Sequence, residues 1–367
     1  MLREPTPSQI FVLGLPKSGK TSILSVLFNR VNATDTLYLE TTTDITEYEM
    51  YAGIKAYDYP SQSELDGGVG RPDPRLYYNS RACIIYVIDS QDDVRHSVDI
   101  LTEIMETAYR VNTDIRVNVF IHKVDGLSRE LQTDIHKEIE HRIIKFVDTE
   151  GYNTSMVSFF LTSIYDHTVN EAISKVSQEV LPHRPYLDTI LNTLCSRSML
   201  DKVYLFDTMT KTYISTDFLP NDTQTFKFCF DSIVVLEDML SMWKTLQDSF
   251  GDDNGDDDDE ESEKYRPEKR SVINLKGTMT IITYQVNRRL TLFCIGRPET
   301  MQDSTFIEYN AGKAAKGIRK VIKMDMNTSP YTDATLNSGH INEILREDIM
   351  SIVTDSYPPQ NDMMDHY

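Results

Sequence analysis

The 367-residue chain is long enough for about two or three domains, each with a buried core. It has 37 basic and 57 acidic residues, a formal net charge of −20, which argues against general binding to nucleic acid or anionic lipid. The four cysteines form no C-x-x-C pair, so reduced thiols are expected and a zinc site is not. Every apolar run is far shorter than the roughly 20 residues of a membrane helix, so direct membrane insertion is not expected.

The N-terminal half alternates strand patterns with helix patterns. It begins with the apolar run "IFVLGL" (10–15) and the helical pattern of residues 20–31. Further strands are predicted at residues 53–59, 82–89, 117–125 and 156–163, and further helices at residues 98–111 and 168–181. This alternation predicts an α/β fold with a mainly parallel sheet, covered on both faces, in a first domain of residues 8–183.

A glycine-rich loop, "GLPKSGKT" (14–21), joins the first strand to the first helix and matches G-x-x-x-x-G-K-[ST]. Its backbone N–H groups and the helix N-terminus are suited to bind phosphates. The alternative interpretation, a chance glycine turn before an ordinary helix, is disfavoured because strand, loop and helix follow in the order that a phosphate-binding loop requires. Lys20 is expected to neutralise the outer phosphates and to assist hydrolysis, and Thr21 to bind Mg²⁺. The predicted phosphate-binding residues are Lys17, Ser18, Gly19, Lys20, Thr21 and Ser22.

The base is predicted from "HKVDG" (122–126), which directly follows the apolar run "VNVFI". GTPases carry [NT]-K-x-D at this position, where the aspartate accepts hydrogen bonds from N1 and N2 of guanine and the lysine stem packs over the loop. Asp125 and Lys123 match those roles, and His122 occupies the first position. The motif makes guanine a far better candidate than adenine, so GTP and GDP are the expected ligands.

A second segment, "LTSIYD" (161–166), ends another predicted strand, where small GTPases carry S-A-K or a variant. There the backbone N–H of Ile164 or a neighbour, next to Ser163, is expected to meet guanine O6. The alternative is an ordinary strand-to-helix turn in which Ser163 and Thr168 are capping candidates.

Residues that sense the third phosphate are expected between the first helix and the third strand. The threonine-rich "LETTTD" (39–44) suits a switch segment whose hydroxyl and N–H contact Mg²⁺ and the γ-phosphate, and Thr42 is the predicted residue. Asp58, at the end of "IKAYD", is the predicted carboxylate near or on the metal. The metal set is therefore Thr21, Thr42 and Asp58.

The second half predicts a different α/β module over residues 185–324, with the order α-β-β-α-β-β-β-α. Its elements are a helix at 185–199, two strands within 202–216, a helix at 223–246, strands within 271–297 around the turn "NR", and a last helix containing Phe306, Tyr309, Ile318 and Val321. The acidic run 251–263 has no apolar residue and is expected to be a solvated, disordered insertion. Residues 325–367 are expected to be a mostly flexible tail.

Several long stretches resemble the Rag GTPases, specifically the C/D branch that includes the second Gtr protein of fungi. They are "TLYLET" (36–41), "YVIDSQDD" (86–93), "AYRVN" (108–112), "IHKVDGLS" (121–128), "SFFLTSIYDH" (158–167) and "YLFDTMTKTYISTD" (204–217). The histidine of "HKVDG" is typical of this branch. The resemblance implies a P-loop GTPase domain followed by a roadblock-type α/β domain.

The resemblance also implies an obligate heterodimer with a Rag A/B-type GTPase and docking on a scaffold complex at the lysosome or vacuole. It further implies amino-acid signalling to the target-of-rapamycin kinase complex and acceleration of GTP hydrolysis by an activating protein. In this branch the GDP state is the one associated with activation.

One departure concerns the second switch. The family has D-x-P-G-Q where this chain has "DYPSQ" (58–62), so Ser61 replaces a glycine whose N–H approaches the γ-phosphate. A Cβ atom restricts the backbone there, which weakens the assignment of Gln62 as the catalytic glutamine. The alternative to a hydrolysing switch is a pseudo-GTPase scaffold subunit with constitutively bound nucleotide.

Overall fold

The chain forms two compact units, Met1–Pro182 and His183–Tyr367, each built around a β-sheet. The acidic run 251–263 and most of the tail lie outside the residues that the structure describes, so the predictions about them stay predictions. The structure, a computed structural model, describes residues 8–60, 72–79, 81–181, 184–250, 270–275, 279–301, 304–327 and 352.

The first unit contains, among its described residues, six strands and four α-helices. They are β1 (Gln9–Gly14), α1 (Lys20–Phe28), β2 (Thr46–Glu49), β3 (Lys55–Asp58), β4 (Ala82–Asp89), α2 (Val94–Val111), β5 (Arg116–His122), α3 (Arg129–Thr149), β6 (Val157–Thr162) and α4 (Thr168–Val180). The sheet order is β2-β3-β1-β4-β5-β6, and every neighbouring pair is parallel except β2 with β3. The predicted α/β class with a mainly parallel sheet is confirmed.

The parallel strands bring the polar residues at their carboxyl ends to one edge of the sheet. β1, β3 and β4 end at Gly14, Asp58 and Asp89, and β5 and β6 end at His122 and Thr162. Ligands of open α/β sheets bind in the crevice beyond this edge. The fold therefore places the loops that follow these strands next to one another.

The central strands β1, β4 and β5 are buried on both faces. Tyr86 of β4 is fully buried in a cluster with Leu101 and Met105 of α2 and Ile139 and Ile143 of α3. Burying one such aliphatic side chain stabilises the fold by about 2 kcal/mol. This packing fixes the strands from which the loops at the carboxyl edge extend.

Two elements of this unit were not predicted, and one ends early. Helix α3 buries only a narrow stripe, Ile139, Ile143 and Val147, so its apolar periodicity is weak. Strand β2 is an edge strand with mostly exposed residues and no apolar alternation. Helix α1 ends at Phe28 rather than residue 31, because Arg30 adopts a left-handed φ of 54°.

The second unit has the predicted element order, although its helix and strand ends differ by a few residues. Its elements are α5 (Arg184–Arg197), β7 (Lys202–Asp207), β8 (Thr212–Thr216), α6 (Thr223–Phe250), β9 (Arg270–Leu275), β10 (Met279–Gln285), β11 (Leu290–Gly296) and α7 (Ser304–Asn327). The sheet order is β8-β7-β11-β10-β9 and all pairs are antiparallel. Phe226 and Ile233 of α6 pack with Phe206 and Phe293 on the sheet.

All four cysteines are free and buried, as the described contacts show. Cys83 lies in β4 of the first unit, whereas Cys195, Cys229 and Cys294 belong to the second unit. Burial raises the pKa of each thiol, to about 12 for Cys195 and Cys294. No helix in the described part of the chain is long and apolar enough to cross a membrane.

Candidate nucleotide-binding site

The loop between β1 and α1 has a backbone that requires glycine at two positions. Gly14 has φ 147°, and a Cβ there would lie 2.4 Å from the carbonyl oxygen of Val87. Gly19 has φ 105°, and a Cβ there would lie 2.6 Å from Cδ2 of His122. Both values of φ are ones that residues with a side chain rarely adopt. The glycines of the motif are therefore explained by the shape of the loop.

Lys20 is buried at the start of α1 and bends back over the loop. Its Nζ donates hydrogen bonds to the carbonyl oxygens of Gly14 (2.9 Å) and Leu15 (3.0 Å). Burial lowers the pKa of Lys20 to about 8, and the nearby carboxylate of Asp58 opposes that shift. A phosphate group placed in the loop would supply the negative charge that this partly desolvated ammonium lacks.

The predicted metal ligands Thr21, Thr42 and Asp58 lie together. The Thr21 hydroxyl is 2.6 Å from Asp58 Oδ2 and 2.6 Å from the Thr42 hydroxyl. Asp58 is fully buried, its Oδ1 has no hydrogen-bond partner, and burial raises the pKa of its carboxyl while Thr21 and Lys20 oppose this. Two hydroxyls and an under-coordinated buried carboxylate form the hard oxygen set that Mg²⁺ prefers, so the residues present fit the ion.

Strand β5 ends earlier than predicted, at His122, and residues 123–126 form a turn. Lys123 adopts a left-handed φ of 61°. Its Nζ donates to the carbonyl oxygen of Lys17 (2.7 Å) and to Asp89 Oδ2 (2.5 Å). One ammonium group thus connects the phosphate loop, the end of β4 and the turn that carries Asp125.

His122 is fully buried between the strand ends and the phosphate loop. Its Nδ1 lies 3.0 Å from Thr162 Oγ1, and its ring edge faces Gly19. Burial lowers the pKa of His122 to about 4, with a smaller effect of the Lys123 charge in the same direction. The ring is therefore neutral at physiological pH and serves to space β5 from the loop.

Asp125 and Ser163 meet at the entrance of the crevice. The Ser163 hydroxyl donates to Asp125 Oδ1 at 2.6 Å, and the side chain of Asp125 is otherwise exposed. The N–H groups of Ser163 and Tyr165 are engaged by Thr168 Oγ1 and Ser163 Oγ. Among the described contacts Ile164 N–H has no acceptor, which fits the predicted amide for guanine O6.

The capping alternative for this turn is only partly realised. Helix α4 begins after His167, which provides no side-chain cap, and Asp166 accepts from the N–H of Thr168 instead. Thr168 supports the turn at Ser163 rather than the helix end.

The remaining predicted residues contribute in different ways. Ser18 is buried, and its hydroxyl oxygen has no hydrogen-bond partner among the described residues of the protein, as expected of a group that binds a ligand. Ser22 is half-buried in the first turn of α1. Gln62 and Ser61 lie outside the described residues, so their roles stay predictions.

Two contributors to this site were missed from the sequence, Asp89 and Thr162. Both end parallel strands of the same sheet, and both contact a residue of the "HKVDG" segment. The signal that could have found them is their position, because polar residues at the carboxyl ends of neighbouring parallel strands meet at one edge.

A comparison with protein-family models matches residues 9–233 to the Gtr1/RagA G protein conserved region. The chain belongs to this family. The match covers the whole β1–β6 sheet together with its crevice, and the predicted assignment to a Rag-type GTPase is confirmed.

Individual relatives place this Gtr/Rag protein within the C/D branch. It is 34% identical over 322 residues to Ras-related GTP-binding protein D of Mus musculus, covering 87% of this chain and 69% of the relative. It is 34% identical over 306 residues to GTP-binding protein gtr2 of Schizosaccharomyces pombe, covering 83% and 94%. Ras-related GTP-binding protein A of Dictyostelium discoideum is 25% identical over 214 residues, covering 56% and 69%.

Proposed function

We propose that this Gtr/Rag protein is a regulatory switch that binds GTP and GDP through the crevice beyond β1–β6. The observation that carries the proposal is the pair of Asp125 and Ser163, in which a serine hydroxyl orients an exposed carboxylate at 2.6 Å. A carboxylate oriented in this way keeps acceptor capacity for two neighbouring donors, and guanine offers such donors at N1 and N2. Adenine offers no comparable pair on that edge.

The phosphates would lie in the loop of residues 14–21, with Lys20 and the backbone N–H groups around them. Thr21, Thr42 and Asp58 would hold Mg²⁺, which would supply positive charge to offset that of the phosphates. Thr42 already contacts Thr21, so the first switch segment lies against the metal position. Loss of the γ-phosphate would remove an interaction that holds Thr42 at the metal position, and the resulting change in the first switch segment would distinguish the GTP state from the GDP state.

Hydrolysis would use the charge of Lys20 to stabilise the transferring phosphoryl group. Gln62 is the residue that the family motif assigns to the attacking water, and Ser61 beside it replaces the glycine of that motif. We therefore propose slow intrinsic hydrolysis that needs an activating protein.

We further propose that the second unit is a roadblock-type domain that pairs with a Rag A/B-type GTPase. The similarity of this chain to Ras-related GTP-binding protein D and to gtr2 supports the assignment. The heterodimer would signal amino-acid sufficiency to the target-of-rapamycin kinase complex. Its association with the lysosome or vacuole would be peripheral, through a scaffold complex.

The test of base recognition is the substitution Asp125→Asn. It replaces a charged acceptor of two hydrogen bonds, so GTP affinity is expected to fall by about 3 kcal/mol, roughly a hundredfold. Xanthosine triphosphate, which carries an oxygen at C2, is expected to bind the variant better than the parent because an amide can donate to that oxygen. Equilibrium binding of both nucleotides to both proteins measures this.

Asp134→Asn is the matched control, because Asp134 is an exposed aspartate of α3 outside the crevice. It removes the same charge and should leave both affinities unchanged. An Asp125→Asn protein that keeps the parent's guanine preference would refute the proposed base recognition.

A further inference from the structure

We infer that Gln91 and Gln132 are positioning residues that fix the turn carrying Asp125 and thereby set its guanine specificity. The inference rests on the proposed function, since it concerns how the same carboxylate reads the base. Neither glutamine belongs to the motifs that identify the site.

Gln91 holds the turn from the β4 side. Its Nε2 donates to the carbonyl oxygen of Lys123 at 2.8 Å, and its own backbone N–H donates to Asp89 Oδ1 at 2.9 Å. The amide lies directly over Gly126, where a Cβ would be 2.6 Å from Nε2. Gln91 is thus fixed at one end by Asp89, and its amide packs against the turn at Gly126.

Gln132 holds the turn from the other side, within the first turns of α3. Its Nε2 donates to the carbonyl oxygens of Val124 (2.8 Å) and Leu127 (3.1 Å). Helix α3 itself is anchored by Ser128, whose hydroxyl accepts from its third N–H, that of Leu131. Side chains from the loop after β4 and from α3 therefore donate hydrogen bonds to three carbonyl groups of residues 123–127.

The hydrogen bonds from Gln91 and Gln132 are important because few other described contacts fix the position of Asp125. Its carboxylate is exposed, its described side-chain contact is Ser163, and the turn begins with a left-handed Lys123. A left-handed non-glycine residue persists only when its surroundings enforce it. Simultaneous hydrogen bonds to N1 and N2 of guanine need an acceptor held to a fraction of an ångström, so the backbone below it must be fixed.

The experiment uses the isosteric substitutions Gln91→Glu and Gln132→Glu, each of which points an acceptor at a carbonyl oxygen that needs a donor. Dissociation constants for GDP and inosine diphosphate, which lacks the 2-amino group, are measured on the full chain. GDP affinity is expected to fall about tenfold and inosine diphosphate affinity about threefold, because only GDP uses both hydrogen bonds to Asp125. The guanine-to-inosine ratio therefore shrinks.

Gln224→Glu on α6 is the charge-matched control and should leave both affinities and their ratio unchanged. Equal weakening of both nucleotides would mean a general structural role and would overturn the inference, as would unchanged affinities. If Gln132→Glu lowers the melting temperature, Gln91→Glu decides the matter, because Gln91 is exposed and its replacement leaves no cavity. A parent chain without guanine preference would overturn the proposed function as well.

Discussion

Burial lowers the pKa of Lys20 to about 8, which predicts a pH dependence of nucleotide binding. Phosphate charges would raise that pKa in the complex, so binding above pH 8 must take up a proton. Well below pH 8 the ammonium is charged in both the free and the bound protein, so affinity does not depend on pH there. At pH 9 about nine in ten Lys20 side chains are neutral in the free protein, and GDP affinity is expected to be about tenfold lower than at pH 7.

The assay is GDP titration from pH 7 to 9, repeated by calorimetry in buffers of different ionisation enthalpy to count the protons taken up. Guanine itself loses a proton in basic solution, so Lys20→Arg is the control. The arginine side chain stays charged throughout this pH range. The variant should bind GDP more weakly because arginine is larger, and its affinity should keep only the part of the pH dependence that comes from the guanine base. An equally steep loss of affinity in Lys20→Arg, or no proton uptake in the parent, would refute the reasoning.

Two further predictions concern His122 and Ser61. Because the folded-state pKa of His122 is about 4 against an ordinary 6.5, the unfolded chain binds more protons in that window, and stability falls as pH falls from 6.5 to 4. Between pH 7 and pH 4.5, the free energy of unfolding of the first unit, measured with urea, should fall by about 2 to 3 kcal/mol more in the parent than in His122→Asn. An identical fall in the two proteins would contradict this prediction. Ser61→Gly should raise GTP affinity relative to GDP by up to about tenfold, because a serine in the positive-φ conformation that glycine adopts readily costs of order 1 kcal/mol or more. An unchanged ratio of the two affinities in nucleotide titrations would contradict this prediction.

The sequence predicted those parts of the site that depend on order along the chain. Gly19, Lys20 and Thr21 occur at a fixed spacing, and that spacing is required by a loop that turns directly into a helix. Asp125 was proposed as a site residue for the same reason, because it follows a recognisable buried strand. The alternation of strands and helices likewise specified a parallel sheet whose carboxyl ends converge.

Contacts between distant segments could not be predicted in this way. Gln91 and Gln132 are ordinary polar residues in the sequence, and their amides acquire a role only where two loops approach within hydrogen-bond distance. Thr162 was missed because its hydroxyl meets His122 across neighbouring strands, 40 positions apart. Helix α3 escaped prediction because tertiary packing on a narrow stripe, rather than a strong amphipathic pattern, stabilises it.

Each unit contains buried cysteines, so the reaction of these thiols with a labelling reagent can report the local opening of each unit separately. A thiol reagent reacts only with an exposed, ionisable cysteine, so modification of Cys83 requires opening of the first sheet, whereas Cys229 and Cys294 require opening of the second unit. Mass spectrometry of a labelled chain would therefore time the two openings separately in one sample. Nucleotide should slow labelling of Cys83, and pairing with a second GTPase should slow labelling of the other group.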